Sequence, residues 1–242
     1  MYPCVYVINA TSLVKGNAVQ LLQTDTAAVG ADIIIMTESW LKQQHSNDPI
    51  NLPGFSTLRK DRTKRKVGGV CVFITLRFND KLLNVQKTIH DTEDLWFSVT
   101  LDDGLTVNFC ACYHPPKRIY DTKLFREYLF EIIEGLIDNQ PGSVFVLNGD
   151  LNGLRTAELQ SQLGGDQLVD KPTHSNNIIN VFLTNKPDMF NVEVGQSLLK
   201  TKHKALVIKA KFEVTKPMSA AKSEIVKVWE YTPSSASLLA KQ

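Results

Sequence analysis

The sequence predicts one mixed domain of β-strands and α-helices. Three observations predict it: 242 residues with 43% hydrophobic content, at least eight short apolar runs rich in β-branched and aromatic residues, and one strongly amphipathic helix. A chain of this length buries a sizeable core, and one large sandwich or α/β domain is its default form. β-branched and aromatic side chains suit a pleated surface, so such runs read as strands.

In chain order the strand runs are VYVI (5–8), DIIIM (32–36), GVCVFITL (69–76), LWFSVTL (95–101), TVNFCACY (106–113), SVFVL (143–147), NVFLT (180–184) and ALVIKAKFEV (205–214). The helix is DTKLFREYLFEIIEGLIDN (121–139), where Leu124, Phe125, Tyr128, Leu129, Ile132, Ile133, Leu136 and Ile137 recur in pairs every turn. That stripe must cover a sheet. A weaker helix follows Asn9, using Leu13, Val19, Leu22 and Val29. From Met218 onward the chain turns polar around VKVWEYTP and reads as a segment appended to the core.

Composition excludes several classes. A net charge of +2 is too mild for nucleic-acid binding by the whole surface, so any such binding rests on local clusters. No apolar run approaches the roughly 18 residues of a membrane span, and the N-terminus lacks the basic start and apolar stretch of a secretory signal. The four cysteines form no CxxC pair. They read as reduced thiols of a protein in the nucleus or cytoplasm.

The polar residues matter by position. Asn9 ends the first strand, Glu38 follows the second in MTESW, Tyr113 ends TVNFCACY, and Asp150 with Asn152 follows SVFVL in NGDLNG. Ends of core strands face one rim, and a rim collecting carboxylates, amides and a phenol is a candidate site. The stretch RKDRTKRK (59–66) places Arg62, Lys64, Arg65 and Lys66 ahead of a strand, where cations suit phosphate contacts. TKHKALVI (201–208) sets His203 between two lysines at the mouth of an apolar run.

The phrases INATSLVKG, ADIIIMTESWL, GFSTLRKDRTKRKVGGVCVFI, ACYHPP, VFVLNGDLNG, DKPTHSNNIINVFLTN and TKHKALVI run in this order over residues 5–213. In that order the chain resembles the endonuclease/exonuclease/phosphatase superfamily, and within it the apurinic-like endonuclease domain of LINE-type (non-LTR) retrotransposons. The resemblance implies an α/β four-layer sandwich: two mostly antiparallel sheets packed face to face with helices outside. It implies such a domain over 1–215, with 216–242 as an extension or linker. By the same resemblance Glu38 binds Mg²⁺ or Mn²⁺ and Asp150 orients the attacking water or assists the leaving oxygen. Asn9, Asn152 and Tyr113 hydrogen-bond the phosphate, and His203 stabilises its developing charge. DNA is the implied partner, with a reverse transcriptase elsewhere in a longer polyprotein.

Two family positions are altered. The residue before the terminal histidine is an aspartate in the family and Lys202 here. The aspartate that pairs with that histidine is Asn180 in IINVFLTN. An amide supplies no charge to favour the imidazolium, and the corresponding exchange in a serine-protease triad costs about 10⁴ in rate. Lys202 also sets a cation near the metal position. The expected function is therefore a weakened metal-dependent DNA endonuclease, the alternative an inactive nucleic-acid-binding or decaying transposon-derived domain.

Overall fold

The computed structural model describes residues 2–62, 67–83, 85, 89 and 91–211. The extension 216–242, the end of the 205–214 run and Lys64, Arg65 and Lys66 lie outside the described residues. The strands are β1 (Val5–Asn9), β2 (Ile33–Thr37), β3 (Phe55–Lys60), β4 (Val70–Thr75), β5 (Asn79–Leu82) and β6 (Glu93–Thr100). They continue as β7 (Thr106–Tyr113), β8 (Val144–Asp150), β9 (Asp166–Gln167), β10 (Asn180–Thr184), β11 (Phe190–Gly195) and β12 (Ala205–Ala210). The helices are α1 (Ala18–Val29), α2 (Thr122–Asn139) and α3 (Ala157–Leu163).

These strands form two six-stranded sheets, ordered β11-β12-β1-β2-β4-β3 and β5-β6-β7-β8-β10-β9. Pairing is antiparallel except for β1 with β2 and β7 with β8. Val5, Val7, Ile33, Ile35, Val144, Val146 and Phe182 fill the space between the sheets. The alternate residues Tyr6, Ile8, Ile34 and Met36 pack with Ala18 and Leu22 of α1. On the far side Phe145 and Leu147 meet Phe125, Leu129 and Ile133 of α2 and Leu159 of α3. The result is helix, sheet, sheet, helix. Central strands buried on both faces explain why the sequence runs are continuously apolar rather than alternating.

The helix over 121–139 is α2, with Asp121 as its cap: the carboxylate accepts from the amides of Lys123 and Leu124 at 2.8 and 2.9 Å. The weaker helix begins only at Ala18. Residues 10–17 are irregular, although Leu13 still packs in the core beneath α1. β3, β5, β9, β11 and α3 have no counterpart in the sequence reading. The longer of these strands are edges: β3 is half-buried throughout and β11 mixes exposed with half-buried positions, so neither needs an apolar run.

Direction explains how the site is assembled. β1, β2, β7 and β8 deliver Asn9, Glu38, Tyr113 and Asp150 at or just past their C-terminal ends. β10 runs antiparallel to β8 and β12 to β1, so Asn180 and His203 reach the same rim from N-terminal ends.

Candidate active site

Glu38 is the most heavily engaged group. Its Oε1 accepts from Asn9 Nδ2 at 2.9 Å and from the Tyr113 hydroxyl at 2.8 Å, and its Oε2 accepts from Trp40 Nε1 at 3.2 Å. Asn9 Nδ2 also donates to Asp150 Oδ2 at 2.7 Å, while Asn9 Oδ1 accepts from the Thr11 amide at 3.0 Å. Both amide hydrogens of Asn9 are thereby committed to carboxylates. The phenol of Tyr113 is likewise committed to Glu38, and burial followed by the Glu38 charge pushes its pKa up, keeping it a donor. Asn9 and Tyr113 thus hold the carboxylates in this structure rather than presenting free donors to a phosphate.

Asp150 closes β8, and the main chain approaches closely just before it. A side chain at Gly149 (φ +126°) would run into the Cys112 carbonyl on β7, so the phrase NGD needs its glycine. The Asn152 amide donates to Asp150 Oδ1 at 3.1 Å, and the His114 amide donates to the Asp150 carbonyl at 2.9 Å. Asn152 Nδ2 donates to the His114 carbonyl at 2.9 Å. Burial raises the Asp150 pKa to about 7, against the opposing hydrogen bonds from Asn9 and Asn152. A carboxylate poised there is matched to proton transfer at neutral pH.

His203 completes the cluster, with Nδ1 3.8 Å from Asp150 Oδ2. Burial, then the neighbouring His174, lowers its pKa to about 4, so at neutral pH this contact is not an ion pair. The His174 ring lies 4.6 Å from that of His203, and their backbones form an isolated antiparallel bridge. Asn180 sits buried opposite Asp150 in the β8–β10 register and donates to the Lys204 carbonyl at 3.1 Å. Its Oδ1 and His203 Nδ1 are both buried without a hydrogen-bond partner among the described residues. Lys202 is exposed and in no salt bridge among the described residues.

The basic stretch divides in two. Arg59 and Lys60 belong to β3 and pair with Asp61 and Asp94. Arg62, expected at a DNA backbone, is mostly buried, pairs with Glu93 and lies 5.7 Å from the Tyr113 ring centre. Glu93 also accepts from the Gly69 amide, so one buried carboxylate ties down both Arg62 and Gly69.

A divalent cation fits this donor set in a limited way. A carboxylate offers about four lone-pair positions, and three on Glu38 are taken. Among the described residues no three His, Cys, Asp or Glu side chains form a closed metal cage. Mg²⁺ suits such a place, since it retains waters and needs only one or two carboxylates. The sequence reading missed Trp40 and His114. Both stand within quoted phrases (TESW, YHPP), directly after or near residues singled out for chemistry.

No protein-family model and no curated protein matches the chain. Solved structures do. The AP endonuclease LMAP from Leishmania major superposes with a TM-score of 0.71 at 13% identity, covering 87% of this chain and 88% of that one. The APE2 catalytic domain of Xenopus laevis gives 0.64 at 13% identity, covering 86% and 91%. The 3′ phosphatase NExo from Neisseria, bound to a product DNA hairpin, gives 0.58 at 12% identity, covering 87% and 100%. At these identities the likeness is one of architecture: the chain has the endonuclease/exonuclease/phosphatase fold.

Proposed function

We propose that the chain is a divalent-metal-dependent phosphodiesterase that nicks DNA, of the LINE-type retrotransposon endonuclease kind, with activity reduced by Asn180 and Lys202. The observation that carries this reading is the hydrogen-bonded relay Glu38–Asn9–Asp150 at a rim shared with Tyr113 and His203. The fold neighbours include AP endonucleases and a phosphatase bound to a DNA product, which supports a phosphate ester of DNA as substrate.

In this reading Glu38 holds Mg²⁺ or Mn²⁺, which supplies charge to a phosphoryl oxygen when bound. Asp150, ionised above pH of about 7, takes a proton from the attacking water as the new P–O bond forms. The bond to the leaving oxygen breaks, and that oxygen takes a proton from solvent. Neutral His203 donates a ring N–H to a phosphoryl oxygen, and the remaining amide hydrogen of Asn152 does the same. Asn9 and Tyr113 keep Glu38 and Asp150 in place. Lys64, Arg65 and Lys66 meet the DNA backbone, so their joint replacement by alanine lowers the log-log salt slope of binding by up to about 0.9 per lost contact. A reverse transcriptase in the same polyprotein would use the nick.

A second reading, a DNA-binding module without activity, is favoured by Asn180 Oδ1 and His203 Nδ1, which have no hydrogen-bond partner among the described residues. Supercoiled plasmid with Mg²⁺ or Mn²⁺ separates the two. The nuclease reading predicts nicked circles that disappear with a chelator and in Glu38→Ala. Plasmid left intact by both the parent and its Asn180→Asp/Lys202→Asp variant, with retained DNA binding, establishes the module instead.

A further inference from the structure

We infer that Trp40 is a positioning residue for Glu38, fixing its carboxylate so that one lone pair of Oε2 faces the cation position. This inference rests on the reading of Glu38 as a cation ligand. Among the described residues three neutral donors surround Glu38, and they are unevenly placed: Asn9 and Tyr113 both bind Oε1, leaving Trp40 Nε1 as the sole donor to Oε2. Without Trp40 the carboxylate would be held at one oxygen only, and the whole group could rock about the last side-chain torsion, which has broad rather than staggered minima, shifting Oε2 the most.

The backbone shows that the indole is held where it is at a cost. Glu38 and Trp40 both adopt left-handed conformations, with φ of +53° and +56°. Each costs about 1–2 kcal/mol for a residue with a Cβ, and such strain persists only where the surroundings over-determine it. They do so here. The Trp40 amide donates to the Gly68 carbonyl at 2.8 Å and the Ser39 amide to the Gly69 carbonyl at 3.3 Å, while the carbonyls of Glu38 and Ser39 accept from the amides of Ser12 and Leu13 at 2.8 and 2.9 Å. The Lys15 ammonium lies 5.8 Å from the Trp40 ring centre, steadying the ring through its face and leaving the N–H to Glu38. Partners that orient a metal-ligating side chain typically govern about 10–100-fold in metal affinity.

Calorimetric titration with Mn²⁺ tests this on the intact protein and three outcomes are informative. Trp40→Phe keeps an aromatic ring beneath Lys15 and removes the N–H together with part of the ring; we expect Mn²⁺ to bind about tenfold more weakly, with the thermal midpoint unchanged. Trp40→His restores a ring N–H and should recover part of the loss. With Trp229, which lies outside the described residues, replaced by phenylalanine, Mn²⁺ should quench tryptophan emission, and adding Trp40→Phe should remove that response, because Trp96 packs among Phe125, Tyr128 and Leu129 of α2. Parent-like Mn²⁺ affinity in Trp40→Phe overturns the inference. Equal weakening in Trp40→Phe and Trp40→His with a lowered midpoint assigns Trp40 to packing and also overturns it. A parent that binds no Mn²⁺ overturns the metal reading itself, and this inference with it.

Discussion

The two corners of the site differ in how completely they are built. At the carboxylate corner, Glu38 accepts three hydrogen bonds and Asn9 spends every polar atom on its neighbours. At the histidine corner, Asn180 and His203 each leave a buried polar atom without a partner among the described residues, and each such atom costs about 1–3 kcal/mol. The contrast lies in the groups proposed for chemistry: the side chains of Glu38, Asn9 and Tyr113 are hydrogen-bonded to one another, whereas near them only the buried hydroxyls of Thr11 and Thr37 lack a partner among the described residues. Asn180 and Lys202 both stand at the histidine corner.

The strongest way to sharpen this contrast is to repair the poorer corner. Asn180→Asp places an anion where an amide now donates to the Lys204 carbonyl, and Lys202→Asp exchanges an exposed cation for a carboxylate. Together they should raise Mg²⁺-dependent plasmid nicking at least about tenfold, each alone giving less, because both act on one histidine and one phosphate. Glu38→Ala in the repaired protein should abolish the gain. A parent that already nicks as fast as the double variant breaks the comparison and makes the histidine corner a working alternative design.

A smaller effect tests the cost of the carboxylate corner. Asp150 carries a folded pKa raised by burial to about 7, so its contribution to stability is present at low pH and is lost as pH rises through about 7. Asp150→Asn removes that ionisation and should stabilise the fold by up to about 4 kcal/mol at pH 8, with the advantage gone below pH of about 4. Urea unfolding at the two pH values measures it. A variant less stable than the parent at pH 8 would show that the hydrogen bonds from Asn9 and Asn152 outweigh the burial of the charge.

The fold was legible wherever strands are buried on both faces, because β1, β2, β4, β7 and β8 had to be apolar without interruption. Edge strands such as FSTLRK and FNVEVG mix charge with apolar residues and carry no such signature. The rim was legible because its residues close core strands, and five of them are joined in one network of short contacts. What each donor does there was not. Asn9 and Tyr113 turn to the carboxylates because the two sheets bring Asp150 and Glu38 within reach of one amide, a distance that no local pattern encodes. Trp40 was hidden for a similar reason: its contact two residues away depends on left-handed turns at Glu38 and Trp40. Arg62 reads as a surface cation in RKDRTKRK, and only the neighbouring strand β6 reveals Glu93 as its partner.

The central claim is that His203 has lost its counter-charge while the carboxylates have kept their scaffold, and the ring itself reports on this. An NMR pH titration of the His203 ring in the parent and in Asn180→Asp is the most direct measurement. Burial and His174 hold the parent ring neutral down to about pH 4, so its signals should stay still through neutral pH. Stability tied to this depressed pKa is present above the unfolded value of about 6.5 and is lost as pH falls toward 4. In Asn180→Asp the new carboxylate should raise the pKa by about one unit or more. A parent His203 that titrates at or above 6.5, or a ring unmoved by Asn180→Asp, would contradict the account.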